Sequence, residues 1–153
     1  MATRRHGFTL LELLCALGVL SILLAAALPA LSATLPALAL DRAGAQLVSE
    51  LELARVKAIN RNTRVRAIFD LGAGRYRIEA ESEGSFAAEG PDRTLPSGVG
   101  FDPSGSTRIS GGRISITYLP RGLTADNATI ALSGGGGGRR RVIVSGAGRV
   151  RVE

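Results

Sequence analysis

The sequence predicts an α+β chain, one long N-terminal helix followed by an antiparallel β-rich domain. Three observations carry that prediction. Over residues 8–40 nearly every side chain is apolar and only Glu12 is charged. Over residues 40–60 apolar positions recur at steps of four and three, the period of one helix face. Beyond Asn60 the period falls to two, and all glycines except Gly7, Gly18 and Gly44 lie there, marking turns between short strands. A helix followed only by hairpin-linked strands is an α+β plan.

Each element follows from its local pattern. Residues 1–7 are short, basic and polar, with Arg4 and Arg5. Residues 8–28, at about 1.5 Å per residue, are long enough to cross a hydrocarbon core of about 30 Å. The arginines before them predict a cytoplasmic N-terminus and an outward C-terminal domain. Pro29 and Pro36 each remove a backbone donor, so each is expected to kink or loosen the helix. Leu40, Gly44, Leu47, Leu51, Ala54 and Ala58 then form the stripe by which the second half lies on a globular domain; Asp41, Arg42, Glu50, Arg55 and Lys57 fall largely elsewhere.

Residues 65–69 and 75–79 alternate as strands, joined by the hairpin signal Asp70-Leu71-Gly72-Ala73-Gly74. The acidic residues 80–94 read as loop. Short strands follow near 97–101, 113–118 and 128–132, with turns at Asp102-Pro103-Ser104-Gly105 and Pro120-Arg121-Gly122. Residues 134–138, all glycine, read as a flexible tip before a strand at 141–144. Ser145-Gly146-Ala147-Gly148 turns into a last strand at 149–152.

Composition narrows the function classes. The formal charge is +6, and 18 of the 19 basic residues are arginine. Residues 79–92 hold Glu79, Glu81, Glu83, Glu89 and Asp92. Residues 104–153 hold eight arginines against Asp126 and Glu153, 8 − 2 = +6, so that region attracts anions. The one histidine, His6, sits in the N-terminal basic stretch, and the one cysteine, Cys15, lies in the apolar run behind Leu14, a poor lipoprotein context. Glu79, Glu81 and Glu83 share one face at the spacing of a solvated edge. The glycine run lacks the Lys-Ser/Thr of a phosphate loop. No catalytic residue, metal site or cofactor is expected, and the chain does not read as an enzyme.

A secretory signal peptide would explain the basic start and the small residues Ala25-Ala26-Ala27. It does not explain so long an apolar run, the charge at Glu12, or the amphipathic helix beyond. A plain membrane anchor leaves Glu12 unexplained, since a buried acid costs roughly 2.5–3.5 kcal/mol at the centre of a membrane helix.

The stretch Gly7-Phe8-Thr9-Leu10-Leu11-Glu12 closely resembles the class III signal of type IV prepilins and type II secretion pseudopilins. The resemblance implies a leader at residues 1–7, cut between Gly7 and Phe8 by a membrane peptidase that also methylates the new Phe8 amine. It further implies a transmembrane and filament-core helix at 8–31, an amphipathic half at 32–61, and a β-rich periplasmic domain at 62–153, the type IV pilin-like fold. Glu12 would neutralise the Phe8 amine of a neighbouring subunit, so that each charge is buried with a partner and the pair sets register.

Residues 53–62 followed by Val65, Ile130-Ala131-Leu132, residues 139–144 and Gly148-Arg149-Val150-Arg151 are similar to the H-type minor pseudopilins and FimT-like minor pilins. The implied role is that of a type II secretion pseudopilin, priming or capping a short filament anchored in the bacterial inner membrane. Its implied partners are other pseudopilins or pilins and the prepilin peptidase. In FimT-like pilins a Gly-Arg-x-Arg ending contacts DNA; the matching positions are Gly148, Arg149 and Arg151, with Arg139, Arg140 and Arg141 beside the glycine tip as further anion contacts. That reading makes DNA a partner. The bland alternatives are an arginine-guarded edge strand and a membrane-tethered β domain with no filament role.

Overall fold

The computed structural model describes residues 9–125 and 127–153, and the side chains of residues 28–33 are not described. The chain divides into two compact units, Met1–Leu35 and Pro36–Glu153. Helix α1 runs Leu10–Asn60. Both Pro29 and Pro36 lie within it, so neither ends the helix. In the first unit, Leu10–Ala27 has a mean hydropathy of 2.5 and none of it is buried; it is long and apolar enough to cross a membrane.

In the second unit all six residues of the predicted stripe, Leu40, Gly44, Leu47, Leu51, Ala54 and Ala58, are buried. The helix ends in a Schellman motif. Asn62 takes the left-handed φ of 50°, Thr63 N–H donates to Ala58 O at 3.2 Å, and Asn62 N–H to Ile59 O at 3.2 Å. That turn delivers the chain into the first strand.

Among the described residues nine antiparallel strands follow: β1 Val65–Asp70, β2 Arg75–Ser82, β3 Ser85–Ala88, β4 Arg93–Thr94, β5 Val99–Phe101, β6 Arg113–Tyr118, β7 Ala128–Gly134, β8 Arg139–Val144 and β9 Val150–Val152. They form two sheets. The first has the order β3-β2-β1-β6, with β4 also on β2, and the second has the order β5-β7-β8-β9. The inner faces of both sheets and the α1 stripe share one core, in which Phe69 stacks on Tyr76 with centroids 5.7 Å apart and meets Phe101 edge-on at 5.9 Å.

Two expectations are corrected. The acidic residues 80–94 are not a loop. They hold the end of β2, the β2–β3 hairpin and β4. The turn Glu83-Gly84 has φ of 52° and 81°, the two positive values a two-residue hairpin turn needs. Nor are Glu79 and Glu81 a solvated acidic edge. Glu79 is 5% exposed and accepts from Arg66 Nε at 3.1 Å and Arg77 Nε at 2.7 Å, while Glu81 is held by Arg64 and Glu89 by Lys57 and Arg61. Paired charges allow the strand that unpaired ones would oppose.

The glycine tip is likewise a built turn. Gly134 N–H donates to Gly138 O at 3.0 Å, Gly137 N–H to Gly134 O at 3.0 Å and Gly135 N–H to Gly98 O at 3.0 Å. A Cβ on Gly138 would lie 3.2 Å from Leu40, so the glycines let the hairpin lie against the helix.

Candidate functional site

The first candidate site is the start of α1. Gly7 and Phe8 lie outside the described residues. Thr9 is the N-cap: its Oγ1 accepts from Glu12 N–H at 3.2 Å while its carbonyl accepts from Leu13 N–H at 3.2 Å. A Thr with Glu three residues on is the capping-box pattern, and an acid in the first turn also suits the positive end of the helix dipole. Glu12 is exposed, and among the described residues its carboxylate meets no cation. Among the described residues, then, an acid without a cation stands at the head of an exposed apolar helix.

The second candidate is the outer face of the β5-β7-β8-β9 sheet. Arg141 and Glu153 exchange backbone hydrogen bonds at 2.8 Å, Ile143 faces Arg151, and Ser145 N–H donates to Arg149 O at 3.0 Å. With a period of two, Arg139, Arg141, Arg149 and Arg151 share the solvent face, while Val142 and Val144 point into the core. Arg140 points to the inner side, where its Nε donates to Asp41 of α1 at 2.7 Å. The structure thus brings four of the five predicted arginines together and turns the fifth toward the helix.

Carboxylates partly neutralise this face. Arg139 lies 3.4 Å from Asp102, and Glu153 sits 3.7 Å from Arg141 and 3.1 Å from Arg151. Asp102 is held below the usual carboxylate range by the Ser104 hydroxyl at 2.6 Å and the Ser104 N–H at 3.0 Å, with Arg139 adding to the effect. Arg149 has no ion-pair partner among the described residues. An open hollow of about 410 Å³ lies between Asp102, Ala131, Arg139, Arg141 and Glu153. Its chemistry is that of an anion contact surface, with a face charge of 4 − 2 = +2 from Arg139, Arg141, Arg149 and Arg151 against Asp102 and Glu153.

Of these counter-ions only Glu153, two residues from Arg151, is signalled by the strand period; Asp102 and Asp41 are not. Asp41 and Arg140 are 99 residues apart, a separation that helix and strand periods do not reach. Gly148 proves structural. Its φ is 76°, and a Cβ there would collide with the Gly122 carbonyl oxygen, which accepts from Arg55 Nε at 3.0 Å.

Residues 43–148 match the family model described as type II transport protein GspH. The chain belongs to the GspH family. Residues 2–28 match the prokaryotic N-terminal methylation motif, which spans Gly7, Phe8 and Glu12. The chain is 37% identical over 160 residues to the pilin-like protein PilA1 of Thermus thermophilus, covering 97% of this chain and 99% of the relative. Among solved structures it is similar to the minor pseudopilin EpsH of the Vibrio cholerae type 2 secretion system, with a TM-score of 0.61 at 15% identity over 74% of this chain and 95% of that one. It is also similar to the Pseudomonas aeruginosa type IV minor pilin FimU, with a TM-score of 0.59 at 20% identity over 74% and 87%. The fold is that of type IV pilins. Such proteins are structural subunits rather than enzymes, as the sequence predicts for this GspH-family chain.

Proposed function

We propose that this chain is a minor subunit of a type IV filament, processed between Gly7 and Phe8 and built into the filament through α1. The observation that carries the reading is the exposed apolar helix Leu10–Ala27 headed by one carboxylate with no cation among the described residues. Cleavage after Gly7 creates an amine at Phe8. Stacked subunits with an axial stagger place Glu12 of one chain against that amine of the next. Each charge then leaves lipid with a partner, and unstaggered neighbours are disfavoured. The flanking Arg4 and Arg5 support a cytoplasmic N-terminus, with the β domain in the periplasm.

Of the two filament systems such subunits serve, the relative that matches over 97% of the chain, named as pilin-like, supports a surface pilus. The GspH description and the EpsH-like fold favour a second reading, a pseudopilin that primes or caps the short filament of a type II secretion system.

Mass spectrometry of the chain from its own host tests processing. The expected mature form starts at Phe8 carrying one methyl group; an intact Met1 or a cut near Ala27 defeats the filament reading. Gene deletion separates the systems. Loss of surface filaments or DNA uptake with normal export supports the pilus, and loss of export alone supports the pseudopilus.

A further inference from the structure

We propose that the solvent face of the β3-β2-β1-β6 sheet is a docking surface for an extended acidic segment of a partner protein. The strand registers lay out this face as three rows: Glu79, Arg66 and Thr117; then Arg77, Ile68 and Ser115; then Arg75, Asp70 and Arg113. The opposite face, with Val65, Phe69, Ile78 and Ile116, is the core. Four of the nine outer positions are arginine and two are acidic, 4 − 2 = +2. Ile68 at the centre is the only apolar side chain of the nine.

Two open hollows flank Ile68 and share Arg113 as a common wall. One, of about 180 Å³, is rimmed by Arg75, Arg77 and Arg113 with Asp70 and Asp92. The other, of about 320 Å³, is rimmed by Arg66, Arg108 and Arg113 with the hydroxyls of Ser115 and Thr117. The first is roomy enough to admit a carboxylate group. The charges within the face are unevenly satisfied. Glu79 holds both Arg66 and Arg77, Asp70 accepts from Arg113 Nε at 3.1 Å, and Arg75 has no ion-pair partner among the described residues. Arginine left over beside an open hollow is a fork for an incoming acid.

The geometry favours a peptide over a nucleic acid. Asp70 and Glu79 stand inside the face and Asp92 on its rim, so a continuous row of phosphates meets repulsion wherever it crosses them. An extended peptide places side chains on one side at alternate residues, about 7 Å apart, and can put an acid in each hollow while its other groups meet Ser115 and Thr117. On the outward edge of β6 the Arg113 backbone is already bonded to Ser110, and the Thr117 carbonyl accepts from Ala125 N–H, which shortens the edge open to strand addition and favours reading by the face.

The test uses the full chain in detergent micelles and a fluorescein-labelled octapeptide of alternating Glu and Ser, read by fluorescence anisotropy at low salt. The peptide binds, its Gln-for-Glu counterpart does not, and Arg75→Glu with Arg113→Ser weakens binding about tenfold. Arg75→Glu alone, which breaks no ion pair among the described residues, weakens it about threefold. Arg149→Ala with Arg151→Ala leaves the affinity unchanged. Absence of binding at low salt, equal binding of the Gln peptide, an unchanged affinity in the folded Arg75→Glu variant, or loss through the Arg149/Arg151 pair each overturns the proposal. So does tighter binding of single-stranded oligothymidylate that Arg75→Glu abolishes.

Discussion

Glu12 and Gly148 show how differently two motif residues can act. Glu12 has no cation among the described residues, and under the proposed pairing its main contribution would be to the filament. Glu12→Ala is therefore expected to leave leader cleavage and monomer stability intact while impairing incorporation. Normal incorporation, measured by immunoblot of sheared filaments, sinks the pairing role. Gly148 acts inside the fold. Any Cβ there meets the Gly122 carbonyl, and the backbone is left-handed. Gly148→Ala is expected to cost about 2–4 kcal/mol from overpacking and positive φ together. Arg149→Ala, on an exposed side chain, should stay within about 0.5 kcal/mol. Denaturant unfolding of both variants checks the contrast; equal costs refute it. Gly-Arg-x-Arg is thus half a packing motif and half a surface one.

At the scale of elements, the stripe on α1 and most strands are legible in the sequence because burial on one face leaves a periodic trace. The 80–94 segment is not. Its acids Glu81 and Glu89 find their partners, Arg64, Lys57 and Arg61, on α1 and between α1 and β1, and its turn uses Glu-Gly where Asn-Gly or Asp-Gly is the usual signal. These pairs make the fold acid-sensitive. Glu89 is held below the ordinary carboxylate range by Lys57 first and Arg61 second, Glu81 by Arg64, and Asp70 by the Ala73 N–H and Arg113. A carboxyl whose folded pKa is depressed contributes stability that is present above its unfolded value and lost as pH falls through the folded one. The thermal midpoint should hold steady from neutral pH to about 5 and drop below about 4. A steady decline between pH 7 and 5 would point to other groups.

For the whole molecule, the formal charge of +6 overstates what any one surface offers. The predicted basic tail becomes a face of four arginines shadowed by Asp102 and Glu153, with Arg140 bonded to α1. If that face takes DNA, as in FimT-like pilins, binding should weaken steeply with salt. Arg149→Ala with Arg151→Ala should then reduce the log–log slope by about 2, one for each phosphate no longer neutralised. Duplex DNA titrated at several salt concentrations decides it: no binding at low salt, or a slope unchanged by the double substitution, removes DNA as a partner of this face.

The membrane-length helix, the lone glutamate behind a Gly-Phe junction, the α+β plan and the family can all be read without coordinates. Each is written in residues adjacent in the chain or spaced by a helix or strand period. Which charges are free is a different kind of fact, and it emerges only on folding. Ion pairs such as Arg140 with Asp41 and Lys57 with Glu89 join residues far apart in sequence. The arginine-rich face of the first sheet also exists only once β1, β2 and β6 are in register. Local pattern sets the elements; electrostatic partnership is a property of the folded surface.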